Sequence, residues 1–197
     1  MKKGFTILIA LLTWFAVIMQ YVLMIQNRTA DVVETTIRFF SFFTILTNII
    51  VAIFFTNNIY SKKLNSSKLT AVTVYITIVG LIYQVILRQT WKPEGMQFIV
   101  NELLHTLIPL LVIIFWCMYA VNRLTPYSRI GKWAIYPLVY LVYVLIRGNF
   151  AGFYPYPFID VTNLGMEKTL VNAAMILVLF IALAAIFLFI GKRIIKR

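Results

Sequence analysis

Residues that hold metals or make disulfides are nearly missing from this chain. One histidine, His105, and one cysteine, Cys117, occur among its 197 residues. A zinc site takes three or four ligands, and a bis-histidine haem takes two rings. A di-iron bundle needs two E-x-x-H steps and two further glutamates, whereas Glu102 and His105 supply a single step. No metal and no other cofactor is therefore expected, and a lone Cys117 cannot close an internal disulfide; it reads as a buried structural thiol. No G-x-S-x-G elbow occurs, which excludes the soluble esterase fold built on that turn. There is no internal repeat and no long hydrophilic segment, so the chain, 1–197, reads as one domain with nothing sizeable outside it.

What fills the sequence instead is apolar. Hydrophobic residues make up 62% and charged ones 12%, with a mean hydropathy of +0.91, far from the roughly 45–50% apolar and ~25% charged residues of a soluble domain. Six apolar stretches, 5–26, 39–56, 69–87, 98–120, 133–146 and 170–190, approach the ~20 residues that cross a ~30 Å hydrocarbon layer. Unbroken apolar runs satisfy their backbone in lipid as helices, whereas barrel strands alternate polar and apolar residues. The expected fold is all-α, a bundle of six transmembrane helices. The fifth stretch is the weakest, diluted by Tyr136, Tyr140 and Tyr143 with Pro137 among them, and reads as a polar-faced helix inside the bundle. The first has lysines before it but is too long for a signal peptide and has no small-residue cleavage site after it; it reads as a retained anchor.

Charge sets an expected orientation. The two ends and every second loop carry 12 of the 18 basic residues and none of the six acids, so the positive-inside rule puts both termini in the cytoplasm. The net charge of +12 thus reports topology and contact with anionic lipid. Basic residues that flank spans without a long cluster do not read as a nucleic-acid surface. Short loops and lysine-rich ends suggest a bacterial cell membrane.

Polar residues inside the spans gather in the outer half. They are Ser41, Thr44, Thr47 and Asn48 on the second, Gln84 and Arg88 on the third, Asn101, Glu102 and His105 on the fourth, a stripe of Tyr136, Tyr140, Tyr143 and Arg147 on the fifth, and Asn172 on the sixth. Such groups are costly against lipid and by default face the bundle interior. The inner halves of the fourth and sixth stretches are Leu, Ile, Phe, Val and Ala almost throughout, so a cavity would open outward. With continuous helices, Thr47 and His105 lie about 12 and about 10 Å below the outer ends of theirs. One neutral imidazole can act as a general base toward a hydroxyl without metal or cofactor. Thr47, Thr44, Ser41 and Thr106 are the candidate hydroxyls, and spacing does not choose among them. Serine and threonine in membrane helices also bond simply to backbone or to neighbours.

"ILTNIIVAIFF", "NELLHTLIPLL" and "GFYPYPFIDV", in this order within six spans, resemble the androgen-induced and androgen-dependent membrane hydrolases and their bacterial relatives. The match includes Asn101, His105, Thr106 and Pro109 and covers most of the chain. The resemblance implies a threonine hydrolase of lipid esters, such as fatty acid esters of hydroxy fatty acids, with Thr47 as nucleophile and His105 as base, acting among membrane lipids. Asn48, Asn101 or Arg147 would then stabilise the oxyanion, and Glu102 would orient the ring. Arg147, beyond Tyr143 on the same stripe, would either reach the headgroups or turn inward to Glu102, Asp160 or a substrate carboxylate. The "YPYPF" segment has no assigned role beyond a stiff, extended loop. The competing expectations are a transporter of a small or lipidic solute, which needs polar residues in the inner half as well, and a sensor or scaffold without chemistry.

Overall fold

The computed structural model of the protein describes residues 2–61, 63–120 and 125–194. Four of the basic residues on the expected cytoplasmic side, Lys62, Arg123, Lys196 and Arg197, lie outside them. The described residues form helices and no strand: α1 (Lys2–Gln26), α2 (Val32–Phe40), α3 (Phe43–Tyr60), α4 (Ser66–Leu87), α5 (Gly95–Tyr119), α6 (Arg129–Ala151), a 3₁₀ turn (Pro157–Ile159), α7 (Val161–Leu164) and α8 (Met166–Ile194). Six of them, α1, α3, α4, α5, α6 and α8, are long and apolar enough to cross a membrane. The chain is an all-α, multi-pass membrane protein.

The spanning helix at the centre is α4. In its most apolar window 72% of the residues are buried, against 17% for α6. It packs on α3, α5 and α8, while α1 lies against α3 and α5, and α6 against α8. In lipid the hydrophobic effect does not hold helices together, so close approach and interhelical hydrogen bonds must. Apolar side chains such as Leu11, Val85, Val139 and Val178 accordingly face outward. Cys117 is exposed on this outer surface and not buried as expected, because α5 turns Phe115 and Trp116 to the core instead. Nor does α6 lie inside the bundle. It sits at the rim, and only one stripe of it turns inward.

The second apolar stretch is not one helix. α2 ends at Phe40 and α3 begins at Phe43, although neither proline nor glycine stands between them. Ser41 Oγ bonds back to Ile37 O at 2.7 Å, and the Ser41 carbonyl, which a continuing helix would offer to Ile45 N, accepts instead from Tyr140 Oη at 2.9 Å. Ile45 N turns to Phe42 O. Phe42 is extended (φ −82°, ψ 124°), and the next helix starts afresh with its first amides free of intrahelical partners.

The loop between α6 and α8 folds back onto the bundle through a glycine contact. A Cβ on Gly148 would fall deep within the ring of Tyr154. Gly148→Ala should therefore displace Tyr154 and its loop and cost about 1–3 kcal/mol of stability, read as a lower midpoint of thermal unfolding in detergent. An unchanged midpoint would show that the ring moves aside freely.

Candidate active site

His105 stands on a widened turn of α5. Pro109 has no N–H to give the carbonyl four residues before it, which is that of His105, and Leu103–Leu107 open into a π turn. Such turns are common at functional sites. Gly80 of α4 makes room for the shifted backbone: a Cβ there would stand 3.2 Å from the His105 carbonyl oxygen. A second π turn, Tyr83–Leu87, faces it from α4 and lays Tyr83 on the imidazole, with ring centres 4.3 Å apart and planes at 23°. The Tyr83 hydroxyl is in turn held by Asn101 Nδ2. His105 Nδ1 lies 2.9 Å from the backbone oxygen of Asn101. That oxygen only accepts, so Nδ1 carries the hydrogen, and in the neutral ring Nε2 presents a lone pair.

The lone pair faces Thr44, whose Oγ1 is 3.3 Å from Nε2. Thr44 is the second residue of α3, and its free backbone N–H donates to the hydroxyl of Tyr156 at 3.1 Å. The same hydroxyl is 3.2 Å from Thr44 Oγ1. Tyr156 comes from "YPYPF". Pro157, which follows it, restricts it to extended backbone (φ −138°, ψ 141°), Phe158 stacks on its ring and Phe42 meets it edge-on. Asn172 Nδ2 fastens this loop to α8 through Phe158 O at 2.9 Å. Burial raises the Tyr156 pKa above the usual phenol value, with the Thr44 hydrogen bonds opposing.

Thr47, the hydroxyl implied by resemblance, lies one turn deeper. It is fully buried and bonded to Tyr136 Oη at 2.9 Å. The break before Phe43 is the reason: depth counted along a continuous helix from residue 39 aligns Thr47 with His105, whereas a helix restarting at Phe43 brings Thr44 there. The other expected residues are also committed elsewhere. Asn48 Nδ2 donates to Thr44 O at 2.8 Å and to Leu104 O at 3.4 Å, tying α3 to the π turn. Glu102 does not touch the ring; its carboxylate takes Arg88 at 2.9 Å and the Thr106 hydroxyl at 2.8 Å. Tyr143 Oη meets Ser41 Oγ at 3.1 Å. Arg147 turns inward, but to Glu34 at 2.8 Å and not to Glu102 or Asp160; Asp160 caps α7. Arg38 shares the same Glu34 oxygen at 2.7 Å.

Thr44 lines two cavities. One, of about 600 Å³, has Gln20, Asn27, Arg28, Arg38 and Gln97 in its wall and includes His105, with no aspartate or glutamate among the described residues that line it. The other, of about 280 Å³, is apolar and lies among α4, α6 and α8, where Ile78, Leu138, Leu170, Ala174 and Phe180 line it. Thr44, Leu87 and Tyr156 line both.

No family model, curated protein or solved structure matches the chain. Among the described residues no cluster of three or more metal-ligating side chains occurs. What the site can do follows from its own atoms: a secondary hydroxyl on an imidazole lone pair, next to a phenol at the start of a helix, at the junction of an arginine-bearing and an apolar chamber. These are the parts of acyl transfer through a covalent intermediate.

Proposed function

We propose that the protein is an intramembrane hydrolase of lipid esters, with Thr44 as nucleophile and His105 as general base. The observation that carries this is the 3.3 Å approach of Thr44 Oγ1 to His105 Nε2 while Nδ1 is fixed on the Asn101 carbonyl. Thr44 Oγ1 attacks the ester carbonyl carbon as its proton passes to Nε2. The tetrahedral intermediate collapses, the C–O bond to the alcohol breaks, and His105 returns the proton to the leaving oxygen. A water, deprotonated by the same nitrogen, then attacks the acyl-threonine, releases the fatty acid and restores the Thr44 hydroxyl. No cofactor enters.

The chambers suggest the substrate. The apolar cavity suits an acyl chain, and the one that has Arg28 in its wall, with Arg38 held on Glu34, suits an alcohol part that bears an anion. A fatty acid ester of a hydroxy fatty acid has both, which agrees with the resemblance to the androgen-induced and androgen-dependent membrane hydrolases, a family we propose for this chain. Purified protein in nanodiscs should cleave such an ester, and His105→Ala should not. Wild-type protein that cleaves none above background would overturn the reading.

The charge distribution supports a bacterial cell membrane with both termini in the cytoplasm, the site then opening toward the outer leaflet. In a Cys117→Ser background, Asn163→Cys should react with a membrane-impermeant maleimide on intact cells and Lys63→Cys only after lysis. The reverse pattern would invert the topology.

A further inference from the structure

We infer that Tyr156 is the oxyanion donor of this site, a catalytic residue that stabilises the tetrahedral intermediate through its hydroxyl; the assignment rests on the hydrolase reading above. The hydrogen atoms around Thr44 can be placed one by one. The Thr44 amide only donates, so Tyr156 Oη accepts from it. The Asn101 carbonyl only accepts, so His105 Nδ1 donates and Nε2 accepts. The Thr44 hydroxyl proton therefore goes to Nε2, and the remaining contact, at 3.2 Å, is Tyr156 O–H donating to Thr44 Oγ1. In the resting site the phenol proton thus points at the atom that will attack.

An ester lying across both chambers must put its carbonyl where they join, because the acyl chain leaves in one direction and the alcohol in the other. Among the described residues only Thr44, Leu87 and Tyr156 line both chambers, and of these only Thr44 and Tyr156 carry polar side-chain atoms. When Thr44 Oγ1 bonds to the carbonyl carbon, the new anionic oxygen is attached to that same carbon, beside the phenol. Rotation of the O–H about the Cζ–Oη bond moves the hydrogen bond from Oγ1 to the oxyanion with no heavy-atom movement, and Tyr156 keeps its proton throughout. The Thr44 amide, at the positive end of α3, donates to that phenol oxygen and so strengthens its O–H as a donor.

The other side chains expected for this role stand apart from the junction. Asn48 and Arg147 line neither chamber, and Asn101 lines one only, where its Nδ2 donates to Tyr83. Pro157 fixes the Tyr156 backbone, and a stacked Phe158 and an edge-on Phe42 hold the ring, which is what a preorganised donor requires. Its raised pKa keeps it a neutral donor at physiological pH.

The test compares full-length wild type, Tyr156→Phe and Thr44→Val in nanodiscs, on an ester and on its thionoester, whose sulfur accepts hydrogen bonds poorly. Tyr156→Phe keeps the ring packing, so kcat on the ester should fall about 10²–10³-fold with KM within about threefold. The preference of wild type for the oxygen ester should shrink by a similar factor. A kcat near that of wild type in Tyr156→Phe, with Thr44→Val inactive, would overturn the Tyr156 assignment and leave the hydrolase standing. So would a fall in kcat with the oxygen-to-sulfur preference unchanged, since that marks a packing role. Full activity in Thr44→Val would instead overturn the nucleophile itself.

Discussion

Thr44→Val should lower kcat/KM for a lipid ester by roughly 10⁴-fold or more, the scale of removing a nucleophile from an acyl-transfer site. Valine has nearly the shape of threonine, so the start of α3 should stay in place. What is lost is the oxygen on which His105 Nε2 and the Tyr156 hydroxyl converge. Thr47→Val is the matched control. It removes only the bond to Tyr136, which should cost about 1 kcal/mol of stability and leave kcat/KM within a few-fold. The two variants, assayed side by side on a fluorogenic ester, separate the hydroxyl set against the imidazole from the one buried a turn deeper. An inactive Thr47→Val beside an active Thr44→Val would move the nucleophile inward.

The second large effect is expected at Glu34. Its carboxylate pairs with both Arg38 and Arg147 through a single oxygen, and the Arg147 side chain is only 9% exposed. Glu34→Gln leaves two guanidinium groups facing each other, one of them buried. Breaking such a pair should destabilise the protein by about 3 kcal/mol, the lower end for buried pairs because Glu34 itself is half-buried. The effect should depend on pH in a definite sense. The Arg38 hydrogen bond, helped by that of Arg147 and by both charges and opposed by partial burial, holds the Glu34 pKa below its ordinary value. With the folded pKa below the unfolded one, the stabilisation is complete above the unfolded value of about 4.3 and is lost as pH falls toward the folded value. The gap in thermal midpoint between wild type and Glu34→Gln should be constant from neutral pH down to about pH 5 and narrow on further acidification. A gap that stays the same to pH 3 would mean that Glu34 acts by shape and not by charge.

Six spans could be read from the apolar runs because a chain in lipid must satisfy its own backbone, and long helices leave that signature directly in composition. The gathering of polar residues in one half, and His105 among them, was legible for the same reason. The break in the second stretch was not. Ser41 and Phe42 carry no breaker, and the carbonyl that ends the helix is taken by Tyr140, 99 residues away. That one long-range bond shifts the register of everything after it and exchanges Thr47 for Thr44. Pro109 was visible, but whether a proline kinks a helix or widens it to a π turn depends on what stands opposite, here Gly80. The partner of Arg147 lies 113 residues away, on a short helix that no apolar run announces. Tyr156 left a local trace, since a residue before proline is held to extended backbone; what its ring meets came only with the fold.

The most direct measurement is the position of a covalent adduct. Wild-type protein in nanodiscs is labelled with an alkyl fluorophosphonate and digested, and the modified peptide is sequenced by mass spectrometry. One adduct is expected, on Thr44, formed in wild type and lost in His105→Ala. An adduct on Thr47, or labelling that persists unchanged without His105, would contradict it.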